Sequence, residues 1–137
     1  MRRVSALTSA TLAAIGAIHV AWGRGSAVPF ASREELADAV IGSRAAPPTG
    51  ACFAVAAALF AASALVSDVP IGPRRTRRVG RRIVGGVLAT RGILGLLGRT
   101  DALSPGSTSP RFRRLDRQFY SPLCLALALG SQARRTS

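Results

Sequence analysis

Five side chains in this sequence are of the kinds that do chemistry: His19, Trp22, Arg91, Asp116 and Tyr120. Arg91 is the most demanding of them. It stands in the middle of residues 83–98, an otherwise apolar stretch of sixteen that includes five glycines. A guanidinium at the centre of a hydrocarbon layer costs about 2.5–3.5 kcal/mol on insertion scales. Arg91 must therefore face other protein and find a partner, either a hydrogen-bonding group on a neighbouring helix or the anionic group of a ligand. His19 and Trp22, three residues apart, share a helical face, and so do Asp116 and Tyr120 at i and i+4. A histidine and a carboxylate brought together can act as an acid–base pair. With no second histidine to complete a site, no metal is assigned to His19, and nothing in the sequence names a cofactor.

The elements that must position these residues are written in the composition. The chain has 137 residues, enough for one domain, and is 48% hydrophobic with a net charge of +13. Such hydrophobicity and charge coexist in a small chain only if they are segregated, and they are. All 19 basic residues are arginine, and they cluster between apolar stretches. Residues 4–23 carry no formal charge and are long enough to span the ~30 Å bilayer core. Residues 50–69 carry only Asp68, at their end. Residues 83–98 and 119–133 are weaker, shorter stretches that can insert if neighbouring helices cover their polar groups. The expected fold is all-α: a four-helix transmembrane bundle forming a single integral membrane domain over residues 1–137. Gly85, Ala89 and Gly92 fall on one face, where small residues let helices approach closely.

The first loop opens at Arg24 and contains a short amphipathic helix over residues 33–41. Ser32 and Glu35 have capping-box spacing, Leu36, Val40 and Ile41 share one face, and Gly42 can end it. The second loop, residues 70–82, holds six arginines. Ser121-Pro122 can start the fourth helix, which would leave it too short to span; a start near Arg113 would instead place a kink at Pro122. Met1-Arg2-Arg3 resembles the start of a signal peptide, but no small-x-small cleavage site follows. Cys52 and Cys124 fall towards the same side, so a disulfide is geometrically conceivable; small buried side chains are their default role.

With an even number of spans and the N-terminus inside, ten arginines face the cytoplasm and eight face outwards. The densest cluster lies in the shortest loop, and Glu34, Glu35 and Asp38 offset the arginines of the first loop, so both termini are expected in the cytoplasm of a multi-pass cell-membrane protein. This topology gathers His19, Trp22, Arg91, Asp116 and Tyr120 in the outer half of the bundle. Trp22 and Tyr120 also fit the aromatic belt of a membrane interface. The expected function is binding of a small amphiphile or a partner helix there, with Arg91 as the anionic anchor; the alternative is a small membrane enzyme using His19 and Asp116. Membrane lipids are the expected partners. The arginine-rich loop abuts a span, and attraction to anionic headgroups explains it more simply than nucleic acid does.

Several local patterns also resemble one family. They are His19-Val20-Ala21-Trp22 closing the first span, Pro29 after it, Arg91-Gly92 in the third, Phe112-Arg113-Arg114-Leu115-Asp116, and Phe119-Tyr120-Ser121-Pro122-Leu123-Cys124. In this order they resemble the domain-of-unknown-function family 3995 of small bacterial membrane proteins, with Gly23-Arg24-Gly25 as a departure that places a charge in the turn. The resemblance implies four membrane helices in the cell membrane and supplies no activity.

Overall fold

The computed structural model describes residues 2–67, 69 and 72–133. Asp68, at the end of the second apolar stretch, and Arg134 and Arg135, both counted in the orientation, lie outside the described residues, as do Met1, Pro70 and Ile71. The described chain is all-α, with no strand. Its elements are α1 (Arg2–Gly23), α2 (Arg33–Leu36) running on into a π turn (Ala37–Ile41), α3 (Thr49–Val66), α4 (Arg74–Leu96), a 3₁₀ turn (Thr100–Ala102), α5 (Pro110–Leu115) and α6 (Ser121–Gln132). A second π turn, Asp116–Tyr120, joins α5 to α6 as one continuous helix.

The long helices pack antiparallel in a ring, α1 to α3 to α4 to α6 and back to α1. Small residues set each contact. On α1 and α3, Ser9 Oγ donates to the Ser63 carbonyl at 3.0 Å while Ser63 Oγ donates to the Ser9 carbonyl at 2.8 Å. Gly16 and Gly23 make room for Phe60 and Phe53 of α3. On α4, Gly85 and Gly92 lie on the expected face and are buried against α6, one on Ser131 and Gln132, the other on Leu125 and the Ser121 carbonyl. Gly95 continues that run, while Ala89 is only half-buried. Gly130 of α6 closes the ring against Thr8 of α1. The apolar core between them is small: Leu12, Val66 and Leu127, with Ile15, Leu59, Val84 and Leu88 packed around it.

Two expected boundaries are corrected. The six arginines of residues 70–82 are not a loop, because α4 begins at Arg74, straight after Pro73. Arginine is a good helix former, so the helix continues past the end of the apolar stretch. Low hydropathy marks where a helix leaves an apolar layer, not where it ends. Likewise the last helix begins at Pro110, not near 119: Ser109 caps it by accepting from the Phe112 N–H, and Pro110 takes the first turn, where its missing N–H costs nothing. Ser121 is not a helix start. The chain accommodates Pro122 by widening the turn before it, with the Ser121 N–H donating five residues back to the Asp116 carbonyl.

Beside the small apolar core, several polar side chains are buried and many large apolar ones are exposed. Ser5, Thr8, Asp116, Ser121 and Ser131 are buried, whereas Leu7, Phe60, Ile83, Val87, Phe119, Leu123 and Leu129 point outwards, Leu129 with 77% of its surface exposed. Two of the helices, α1 from Arg3 onwards and α3, are long and apolar enough to cross a membrane. At the arginine-rich end, Arg81 donates to the carbonyls of Leu65 (3.1 Å), Val66 (2.7 Å) and Ala133 (3.2 Å), filling acceptors that the C-terminal turns of α3 and α6 leave open.

Candidate functional site

Arg91 finds its partner in Asp116. Its Nη2 donates to Asp116 Oδ1 at 2.7 Å, joining α4 to the π turn of the last helix. Asp116 is 1% exposed and Arg91 28%. Two hydroxyls complete the carboxylate's shell: Thr100 Oγ1 donates to Oδ2 at 2.6 Å, and Ser121 Oγ donates to Oδ1 at 3.1 Å. An ionised carboxylate can only accept, so three donors converging on it are what a buried charge needs. Gly95 makes the arrangement possible. A Cβ there would collide with Ser121 Oγ and crowd Asp116 Oδ2 (2.7 Å) and Arg91 Nη1 (2.8 Å). Arg91 Nη1 is itself buried and has no hydrogen-bond partner among the described residues.

His19 and Trp22 belong to a different neighbourhood. Their rings are 4.8 Å apart and tilted by 56°. His19 Nδ1 lies 2.8 Å from the Ile15 carbonyl of its own helix, and since a carbonyl only accepts, Nδ1 carries the proton. Trp22 Nε1 donates to the Val28 carbonyl at 2.7 Å, and its ring packs with Leu36, Cys52, Phe30 and Val40 under the first loop. No hydrogen bond, ion pair or ring contact joins His19 to Asp116 or Arg91 among the described residues. Of the five residues expected to converge, direct contacts among the described residues join Arg91 with Asp116, between α4 and the last helix, and His19 with Trp22, on α1.

Tyr120 links the two. It stands at the far end of the π turn from Asp116, and its hydroxyl donates to the Ala39 carbonyl in the π turn of the first loop, at 3.0 Å. Around it the first and third loops are laced together. Ser107 Oγ donates to the Ile41 carbonyl at 2.6 Å, Ser109 Oγ donates to Asp38, and Arg111 pairs with Glu35 at 2.9 Å. The short helix forms as its spacing predicts: Ser32 Oγ accepts from the Glu35 N–H and Gly42, at φ 75°, ends it. The Glu35 carboxylate, however, reaches back to the Ala31 N–H rather than to Ser32. That hydrogen bond first, and Arg111 second, hold its pKa below the usual 4.5. Leu36, Ala37 and Ala39 are the buried face; Ile41 is only half-buried. Cys52 and Cys124 are free thiols.

Thr100 and Gly95 were not among the residues singled out by sequence. Thr100 lies in a loop whose position depends on the two helices it connects, so no periodicity points to it. Gly95 lies one helical turn beyond Arg91, four residues on the same face, and that spacing was the available signal.

Fold and site together define a small all-α protein with glycines and serines at its helix contacts and an arginine–aspartate clamp whose carboxylate is buried. The chain belongs to the family described as protein of unknown function (DUF3995), whose model matches residues 12–131 and so takes in all five candidate residues. No curated protein and no solved structure matches the chain.

Proposed function

We propose that this chain is a multi-pass cell-membrane protein of four spans, with both termini cytoplasmic, that binds a small amphiphile in the outer half of its bundle. The large apolar residues exposed on every long helix, together with small and polar residues at the helix contacts, carry the reading. All four long helices turn large apolar residues outwards, and beside a small apolar core they keep serine, glycine and an ion pair between them. Hydrocarbon gives leucine no reason to face inwards, so membrane helices associate through small residues and internal polar contacts instead. An Arg91–Asp116 pair inside the ring is the arrangement that an intramembrane charge requires.

The binding reading rests on Arg91. Its second amino group has no partner among the described residues, and an unfilled buried donor costs about 1–3 kcal/mol. A carboxylate or phosphate head arriving along the exposed part of the side chain would complete it. The pairing of His19 with Asp116 as acid and base has no contact in its favour. A photoreactive fatty acid added to membranes containing the protein tests the proposal. Crosslinks near Arg91 that vanish in Arg91→Leu/Asp116→Leu, with both proteins resisting carbonate extraction, are expected. Equal labelling of both removes the amphiphile reading, and extraction of the wild type by carbonate removes the membrane reading.

A further inference from the structure

The other end of the molecule carries a feature that the outer site does not use. The first three turns of α4 hold Arg74, Arg75, Arg77, Arg78, Arg81 and Arg82 with no acidic residue among them. Like charges at this density repel, and they sit at the helix end where the backbone dipole is already positive. Protein acceptors are found by two of the six. Arg81 reaches the ends of α3 and α6, and Arg77 Nη2 donates to the Ser67 carbonyl at 3.2 Å, leaving its Nε buried without a partner. The hydrogen-bond acceptors that these two find among the described residues are backbone carbonyls. Arg74, Arg75, Arg78 and Arg82 are exposed and form no ion pair among the described residues.

Beside this cluster, α3 and α4 part to leave an open-sided groove of about 370 Å³ lined by Leu65, Arg75, Thr76, Val79, Gly80 and Ile83. Its α4 residues recur on one helical face. Arg75 stands at one end and Ile83 at the other, eight residues or ~12 Å along the axis. The floor is apolar because Gly80, with no side chain of its own, lets the half-buried Leu65 pack directly onto α4: the nearest atoms a Cβ at Gly80 would meet are those of the Leu65 side chain, the closest at 2.8 Å. The groove thus grades from cationic to apolar along its length, the same sequence of chemistry as an anionic phospholipid from headgroup to acyl chain.

We infer that this groove is a binding site for one anionic phospholipid of the surrounding bilayer, the phosphate at Arg75 with Arg78 beside it and an acyl chain along Val79 and Ile83. The inference rests on the membrane reading. It goes beyond a general attraction of arginines to the surface, because it assigns a place and an orientation. It also accounts for Arg74, Arg75, Arg78 and Arg82, since a lipid phosphate supplies an anion to arginines that form no ion pair among the described residues. Basic clusters beside spans are where anionic leaflet lipids concentrate, each arginine contributing about a fivefold gain in affinity.

The full chain, reconstituted in vesicles of phosphatidylcholine and phosphatidylglycerol and released into native mass spectrometry, tests the site. One retained phosphatidylglycerol per protein, preferred over phosphatidylcholine, is expected. Arg75→Gln should weaken that preference about fivefold. Thr76→Trp, which fills the groove and leaves every arginine in place, should weaken it at least as much. Carbonate extraction of each variant checks insertion separately, so failure of the membrane reading is told apart from failure of the site. Retention unchanged in Thr76→Trp overturns the inference in favour of a diffuse field of charge. No preference in the wild type, or capture of an RNA oligonucleotide by the same arginines in place of the lipid, also overturns it.

Discussion

Removing Arg91 should be worse for the protein than removing Arg91 and Asp116 together. In Arg91→Leu the Asp116 carboxylate, 1% exposed, keeps Thr100 and Ser121 but loses its counter-charge at 2.7 Å. Breaking a buried ion pair from one side costs about 3–5 kcal/mol, because the remaining charge is stranded. Replacing both members with apolar side chains of similar volume is often close to neutral. Here two hydroxyls would lose their acceptor at about 1 kcal/mol each, so Arg91→Leu/Asp116→Leu should cost about 1–2 kcal/mol. The coupling between the two sites is then at least about 3 kcal/mol, well beyond what independent sites show. Trp22 is the sole tryptophan and packs in the core under the first loop, so its fluorescence in mixed micelles titrated with SDS reports unfolding. Additive effects of the two single changes would refute the clamp. So would a double variant as damaged as the worse single one.

Other outcomes follow from the same contacts. Gly95→Ala pushes a methyl into Ser121 and the ion pair, whereas Gly86→Ala meets open space, so the first should destabilise the protein and the second should stabilise it by about 0.5–1 kcal/mol in the same titration. Tyr120→Phe removes the hydroxyl that donates to Ala39 and should cost about 1 kcal/mol, seen as faster amide exchange in residues 37–41. The Glu35 carboxyl has a pKa below its unfolded value, so its contribution is present above about pH 4.5 and disappears as pH falls through the lower, folded value. Protection of the Ala31 amide should hold from neutral pH down to about 5 and fall below 4.5, and Glu35→Gln should remove that pH dependence.

How much of this was readable in advance depended on what set each feature. The first two long helices were legible almost to the residue, 4–23 against Arg2–Gly23 and 50–69 against Thr49–Val66, because apolarity and helix end together there. The starts of α4 and of the last helix were not, since Arg74 to Arg82 and Pro110 to Leu115 are hydrophilic yet helical. The π turns escaped for a different reason. One accommodates Pro122, where a kink is expected for a helix that starts near Arg113; the other meets it across the loops through Tyr120 and leaves no local signal. At the candidate site, the need of Arg91 for a partner was legible from its cost in an apolar stretch. That the partner is Asp116 depended on a helix beginning at Pro110 and carrying Asp116 into the bundle. That the contacts of His19 are with Ile15 and Trp22 of its own helix depended on where α1 turns its face, which spacing within α1 does not decide.

Cysteine accessibility tests the central claim most directly. Cys52 and Cys124 are replaced by alanine, and single cysteines are introduced at Ser26 in the first loop, Arg78 in the arginine-rich turns, and Ser104 in the third loop. A membrane-impermeant maleimide is then added to intact cells. A four-span protein with both termini inside predicts labelling at Ser26→Cys and Ser104→Cys and protection at Arg78→Cys until the cells are opened. Labelling of Arg78→Cys and Ser104→Cys from the same side would mean that α4 does not cross, and the four-span reading would be wrong.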